Sequence, residues 1–382
     1  MGKPIELCFA FAGIRQGSPL PGERLAPPMA TAKAGAGGAF YLLYKLASAQ
    51  NQQSRILSLA ARSARGLAEF TTSILICYNP QEMQLELFLK FVLNGFIQGS
   101  LYALLALGLS LLYGVLRFAN LAHGEYALMG SFAFYTFYVL LGWPLLPSLA
   151  AGFGILFIVT LLIERLTFTP VRDAPPLIPL VISIALGIFL KNLLLLIFEP
   201  RSRLITANSS ILQITDFISI TSAQINIAVV AILLMIALTL FLKRTKLGKA
   251  IRAVADDREA AAILGIPIKR IVTITFLISA FLAGTAGILA AFDQNLHPNA
   301  GTAFTVKAFA AVILGGIGSI PGAVAGGYIL GFAENILISI PFWGWYIPSN
   351  YKDALAYIIL ILVLYIRPNG IFGKSAEEIA RK

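Results

Sequence analysis

From about Leu87 to Ile366 the chain is almost continuous hydrocarbon, broken only by short polar gaps. A helix needs about 20 apolar residues to cross a bilayer. In lipid, only a helix or a closed barrel satisfies its own backbone hydrogen bonds. The runs Phe91–Leu112, Leu121–Leu141, Leu145–Ile163, Leu177–Phe198, Ile225–Leu242 and Ile271–Phe292 each meet the helical requirement. A longer run from Thr305 to Ile340 holds Gly315, Gly316, Gly318 and Pro321 in its middle and reads as two helices joined at a glycine-rich break. A last run covers Ala354 to Ile366. The expectation is an all-α, polytopic membrane protein with eight or nine crossings; Phe118–Gly124 is either a tight turn or a re-entrant piece.

Composition agrees. Hydrophobic residues make up 58% of the 382 and charged residues 12%, against about 25% charged in a soluble domain. Too little polar surface remains for a soluble enzyme, and disorder of the apolar body is excluded for the same reason. The formal charge of +11 would point to nucleic acid in a soluble protein. Here the basic residues lie in the gaps between apolar runs, which is the distribution of cytoplasmic loops facing a lipid bilayer. Cys8 and Cys77 are the only cysteines and both precede Met83, so the apolar body has no thiol chemistry, disulfide or cysteine metal site. With two histidines in the whole chain, no histidine-rich metal cage is available either.

Three regions follow. Residues 1–82 carry eight of the 29 basic residues and no sustained period. Three readings stay open for them: a disordered extension, a targeting segment, or upstream sequence with the native start at Met83. Residues 83–372 form the transmembrane body and 373–382 a short cytoplasmic tail. Within the body, Lys243–Arg270 holds eight basic and three acidic side chains and is expected on the cytoplasmic side. Arg165–Arg172 and the tail share that side, while Glu199–Ala223 and Phe342–Lys352, the latter with Trp343, Trp345 and Tyr346, face outward.

The cytoplasmic segment 243–270 contains a short helix over Asp257–Leu264. Asp256 reads as its N-cap with Glu259 three residues on, as in a capping box. Asp257 and Glu259 suit the positive end of the helix dipole, Gly265 fits the left-handed position beyond the last turn, and Pro267 stops the helix. Its small residues Ala260 and Ala261, behind Arg258, allow a partner to approach closely. The plainer alternative is an ordinary loop helix.

Glu259-Ala260-Ala261, three residues, then Gly265 matches the Glu-Ala-Ala-x3-Gly core of ABC importer permeases; the Ile and Leu-Pro continuation usual there is absent. The body resembles the branched-chain amino acid, LivH-type, group of these permeases. The matching stretches are Asn94-Gly95, Gly99–Leu104, Asn120–Glu125, Ala253–Ala261, Lys307–Phe309 and Leu314–Gly322. The resemblance covers about Met83 to Phe372. It implies an importer subunit for branched-chain or other neutral amino acids, with Asp256–Ala261 and Gly265 docking on a separate ATPase. It further implies that ATP and Mg are bound by that ATPase and not by this chain, and that a second, related permease subunit and an extracytoplasmic solute-binding protein complete the system. Urea or a short-chain amide is the alternative solute within the family. An ion-coupled secondary transporter is the alternative from another class.

Candidate residues of the solute path are Asn94, Asn120, His123, Gly124, Glu125, Gly315, Gly316, Gly318 and Glu334. His123 and Glu125 are costly at membrane depth; they line the path or form a polar junction at the cytoplasmic surface, the reading adopted here. Lys191 and Glu334 interrupt apolar runs. Lys191 lies about 10 Å of helical rise from the end of its run and is expected to snorkel outward, whereas Glu334 faces the path or pairs with another helix. Gly315–Gly322 serves close helix packing or a broken helix along the path. Asp293 and His297 fall near an outer helix end. Gly373-Lys374-Ser375 imitates the end of a P-loop, but Pro368 stands where the pattern requires Gly, so ATP is not bound by that route.

Overall fold

A computed structural model describes residues 80–372 except 173, 206–210, 214–218, 340–350 and 368–369. The readings given to residues 1–79, to Trp343, Trp345 and Tyr346 and to residues 373–382 lie outside the described residues. The described chain is all-α apart from a short antiparallel pairing of Ile211–Gln213 with Ser219–Thr221. Helix α1 is Pro80–Leu116, α2 His123–Tyr135, α3 Leu145–Ile163, α4 Leu177–Phe198 and α5 Ser222–Arg244. Then come α6 Lys246–Asp256, α7 Arg258–Ile263, α8 Ile268–Asp293, α9 Ala300–Gly315, α10 Ile320–Ser339 and α11 Lys352–Ile366. Wide π-turns extend α2 over Thr136–Leu140 and α3 over Glu164–Phe168. Among the described residues, six helices are long and apolar enough to cross a membrane, and Ala300–Gly315 and Ala356–Ile366 are shorter apolar helices.

Backbone contact between α1 and α10 holds the centre together. Gly95, Gly99 and Ala103 recur every four residues on α1 and face Gly327 and Gly331 on α10. A Cβ at Gly331 would collide with the Gly99 backbone, and one at Gly327 with that of Ala103. Lipid tails give apolar side chains no net gain on association, so small residues that let backbones touch supply the packing instead. The same device joins α2 to α8, where Gly287 abuts Ala127 and Ser131, and α9 to α10, where Gly315 abuts Gly322. Helices α1 and α8 are mostly buried along their apolar stretch, whereas only about a quarter of that of α3, α4 and α5 is buried.

The glycine-rich break lies between α9 and α10 as a tight turn, with Gly316 and Gly318 at φ of +103° and +80°. Gly315, Gly316 and Gly318 therefore close a helical hairpin at the end of the bundle. Gly318 shares a small cavity there with Arg252 and Asp256. The segment after α11 completes this end: Ile371 N–H donates to the Leu314 carbonyl at 2.9 Å and Phe372 N–H to the Gly315 carbonyl at 3.0 Å. These bonds satisfy carbonyls that the end of α9 leaves open. Arg165, Arg172, Lys269 and Arg270 line one cleft at the same end, so the basic residues of separate loops converge, as the charge pattern requires.

Candidate functional site

Two features of the bundle carry chemistry: a polar centre buried between α1, α2, α9 and α10, and a small exposed helix at the basic end.

The polar centre begins where α1 ends. Arg117 adopts a left-handed backbone, φ +63°, and the chain turns back into the bundle instead of leaving it. Phe118–Ala122 is thus re-entrant. Its backbone groups find partners inside: Leu121 N–H donates to the Ser183 hydroxyl at 3.1 Å and Ala122 N–H to the Asn120 side-chain oxygen at 3.1 Å. Asn120 in turn donates to the Tyr126 hydroxyl at 3.5 Å. Helix α2 starts at His123, whose ring is fully buried, with Nε2 3.0 Å from the Leu105 carbonyl and Nδ1 3.4 Å from the Ser279 hydroxyl. Gly108 leaves the space that this ring fills. Gly124 N–H donates to Thr305 Oγ1 at 2.9 Å, and Glu125, 2% exposed, packs against Gly301.

Asn120, His123, Gly124 and Glu125 therefore do not form a junction at the cytoplasmic surface. A six-residue linker with backbone donors to satisfy is stable at depth only where protein supplies acceptors; Ser183 does so for Leu121, Thr305 does so for Gly124 in the first turn of α2, and the Leu105 carbonyl partners the His123 ring.

Glu334 is 1% exposed. Tyr102 Oη donates to its Oε2 at 2.8 Å, and Lys307 Nζ donates to Tyr102 Oη at 2.9 Å and reaches Glu334 Oε2 at 3.4 Å. The ammonium also lies 5.0 Å from the Tyr102 ring centroid, within cation–π range. Glu334 thus pairs with side chains of two other helices, Tyr102 on α1 and Lys307 on α9. Asn335, its neighbour, accepts from Lys352 Nζ at 3.3 Å. Lys307 and Tyr102 were not singled out as site residues from the sequence. The signal was present, since Lys307 is a second charge in the same 36-residue apolar run as Glu334, and the hairpin turn brings the two together.

Beside this network is a cavity of 230 Å³ lined by Tyr102, Lys307, Leu105 and Phe304 and also by Gln294 and His297. Leu105 connects the two clusters, contributing its carbonyl to His123 and a side of the cavity. Asn94 is one helical turn beyond Gln98, a lining residue, and does not line the cavity itself. Gly315, Gly316 and Gly318 are remote from it, at the basic end. Among the described residues, no three His, Cys, Asp or Glu side chains cluster as a metal site would require.

The exposed helix is α7. Its N-cap is Asp257, whose Oδ1 accepts from Glu259 N–H and Ala260 N–H, both at 2.9 Å. Asp256 is not the cap, because α6 runs through to it. The amphipathic helix α6, which the sequence reading passed over, buries Ile251 and Val254 against the bundle and leaves Lys249 and Arg252 outside. Arg117 closes the assembly: its guanidinium donates to the Ala255 and Asp256 carbonyls, where a cation meets the negative end of α6. The re-entrant turn and the exposed helix are thereby one hydrogen bond apart. On α7, Ala261 is 2% exposed and faces inward, while Ile263 and the C-cap residue Leu264 are 87% and 79% exposed. Gly265 follows at φ +82°, the left-handed stop expected of it.

Residues 91–364 match the family model described as "Branched-chain amino acid transport system / permease component". The chain belongs to that family. It is 38% identical over 308 residues to the high-affinity branched-chain amino acid transport system permease protein LivH of Escherichia coli strain K12, covering 76% of this chain and 97% of that one. The corresponding protein BraD of Pseudomonas aeruginosa is 37% identical over 309 residues, with the same shares of coverage. A probable LivH of Methanocaldococcus jannaschii is 30% identical over 309 residues, covering 76% of this chain and 95% of its own. The family is a permease component, so this chain is a multi-pass transport subunit of the plasma membrane and not an enzyme.

Proposed function

We propose that this chain is the transmembrane subunit through which an ATP-driven importer takes branched-chain amino acids across the inner membrane of a bacterium. A solute-binding protein outside the membrane delivers the amino acid. A second, related permease subunit shares the path with this one. A pair of separate ATPase subunits, which bind ATP and Mg, docks at the basic end. That end faces the cytoplasm, by the excess of Lys and Arg on cytoplasmic loops.

The observation that carries this reading is α7 itself. An extramembrane helix of six residues that ends in two nearly naked aliphatic side chains, Ile263 in its last position and Leu264 at its C-cap, leaves apolar surface that a partner buries. Ala261 seats it on the bundle, Asp257 caps it, and Arg117 links its base to the re-entrant turn leading to Asn120 and His123. Closure of the ATPase pair would shift α7, and through Arg117 the buried turn, between two discrete packings. Asn120–Glu125, Glu334 and the glycine hairpin at Gly315–Gly318 then act as path-side and hinge elements. A urea permease or an ion-coupled carrier has less support: the named relatives carry branched-chain amino acids, and Glu334 is engaged by Tyr102 and Lys307.

The test is uptake by the reconstituted system carrying Glu259→Arg or Gly265→Asp. Both variants should insert normally and lose uptake, Gly265→Asp because a side chain at φ +82° is strained. Normal transport by either would remove α7 from the mechanism.

A further inference from the structure

The cavity beside Tyr102 and Lys307 has a polarity that matches one class of solute, and this deepens the proposed function, on which it rests. The lining carries the Lys307 ammonium, held by Tyr102 Oη at 2.9 Å and Glu334 Oε2 at 3.4 Å. The same lining includes the apolar side chains of Leu101, Leu128 and Phe304 and the amides of Gln98, Gln294 and Asn295. Its 230 Å³ far exceeds the 10–15 Å³ that one water occupies by a comparable measure. The Lys307 side chain is 15% exposed, against 1% for Glu334, so of the two charges it is the cation that reaches the cavity.

We infer that Lys307 is the residue of this subunit that receives the solute's carboxylate. The Glu334 carboxylate, buried behind it, holds the ammonium charged and in place, and the Tyr102 hydroxyl fixes its direction. The amide oxygens accept from the solute's own ammonium group, and the apolar side chains take a branched aliphatic side chain. A zwitterion with an apolar side chain satisfies all three. Urea and simple amides have no carboxylate and leave Lys307 without a ligand, so the site selects amino acids over them.

A purely structural Lys–Glu pair would give the same distances, and the experiment separates the two. Leucine carried per ATP hydrolysed is measured in proteoliposomes containing the complete transporter. Lys307→Met is compared with Lys307→Met/Glu334→Leu, which removes both charges together, and with Lys307→Gln/Glu334→Gln, which keeps hydrogen-bonding groups in nearly the same volume. If Lys307 binds the carboxylate, the ratio falls about tenfold to hundredfold in all three, the span expected for a lost hydrogen bond to a charged group. If either double variant matches the wild type, the pair is structural and the inference is overturned. A wild-type transporter that carries urea but no leucine would overturn the proposed solute class itself, and this assignment with it.

Discussion

Glu334 shows how one residue's environment decides its role. A lone carboxylate near the bilayer centre costs roughly 2.5–3.5 kcal/mol on insertion scales, and this one is compensated by Tyr102 and Lys307. Glu334→Leu alone takes the carboxylate from a largely buried ammonium and should destabilise the protein by about 3–5 kcal/mol, whereas the double change with Lys307→Met should recover most of that. Thermal unfolding in detergent reads the difference; equal loss in the single and double variants would contradict the pairing. Gly124 makes a second case. A Cβ there would strike the Gly301 carbonyl, so Gly124→Ala should cost about 1–3 kcal/mol, and an unshifted melting transition would show that α2 and α9 are not in contact there. The costly residues His123, Glu125 and Glu334 were legible as exceptions in an apolar run. Most of their partners were not, because Leu105, Ser279 and Thr305 lie on other helices and no local spacing links them.

At the scale of elements, the sequence already contained the hairpin, since Gly315–Gly318 interrupts a run too long for one crossing. It also contained the short helix, since an Asp, a Glu and a Gly-Ile-Pro stop frame six residues. The cap was misplaced by one residue because Asp256 and Asp257 both qualify locally. Only the tertiary extent of α6, which seats Ile251 and Val254 on the bundle, assigns Asp256 to the preceding helix. The linker Arg117–Ala122 was ambiguous for a related reason, as a six-residue connection suits either a surface or a buried site lined with acceptors. Replacing Asp257 by Ala should cost α7 about 0.5–2 kcal/mol and weaken retention of the ATPase subunits in pull-down from membranes. Asp256→Ala, which touches no cap, should leave that retention much closer to the wild type. The reverse ranking would restore the cap to Asp256.

For the whole molecule, orientation follows from charge alone. The convergence of Arg165, Arg172, Lys269 and Arg270 on one cleft is what the positive-inside rule needs from a correctly threaded bundle. In a chain with Cys8 and Cys77 replaced by Ser, Leu264→Cys should react with an impermeant thiol reagent only from the cytoplasmic face and Ser202→Cys only from outside. Both residues are exposed, at opposite ends of the fold.

The central claim is that this chain moves branched-chain amino acids inward at the expense of ATP hydrolysed on another subunit. Uptake of labelled leucine into proteoliposomes holding this chain with its ATPase, second permease and binding-protein partners tests it most directly. ATP is supplied or withheld on the face that carries α7. The account predicts accumulation that requires ATP, the ATPase subunits and the binding protein together. Leucine uptake by this chain alone, driven by an ion gradient, would contradict it.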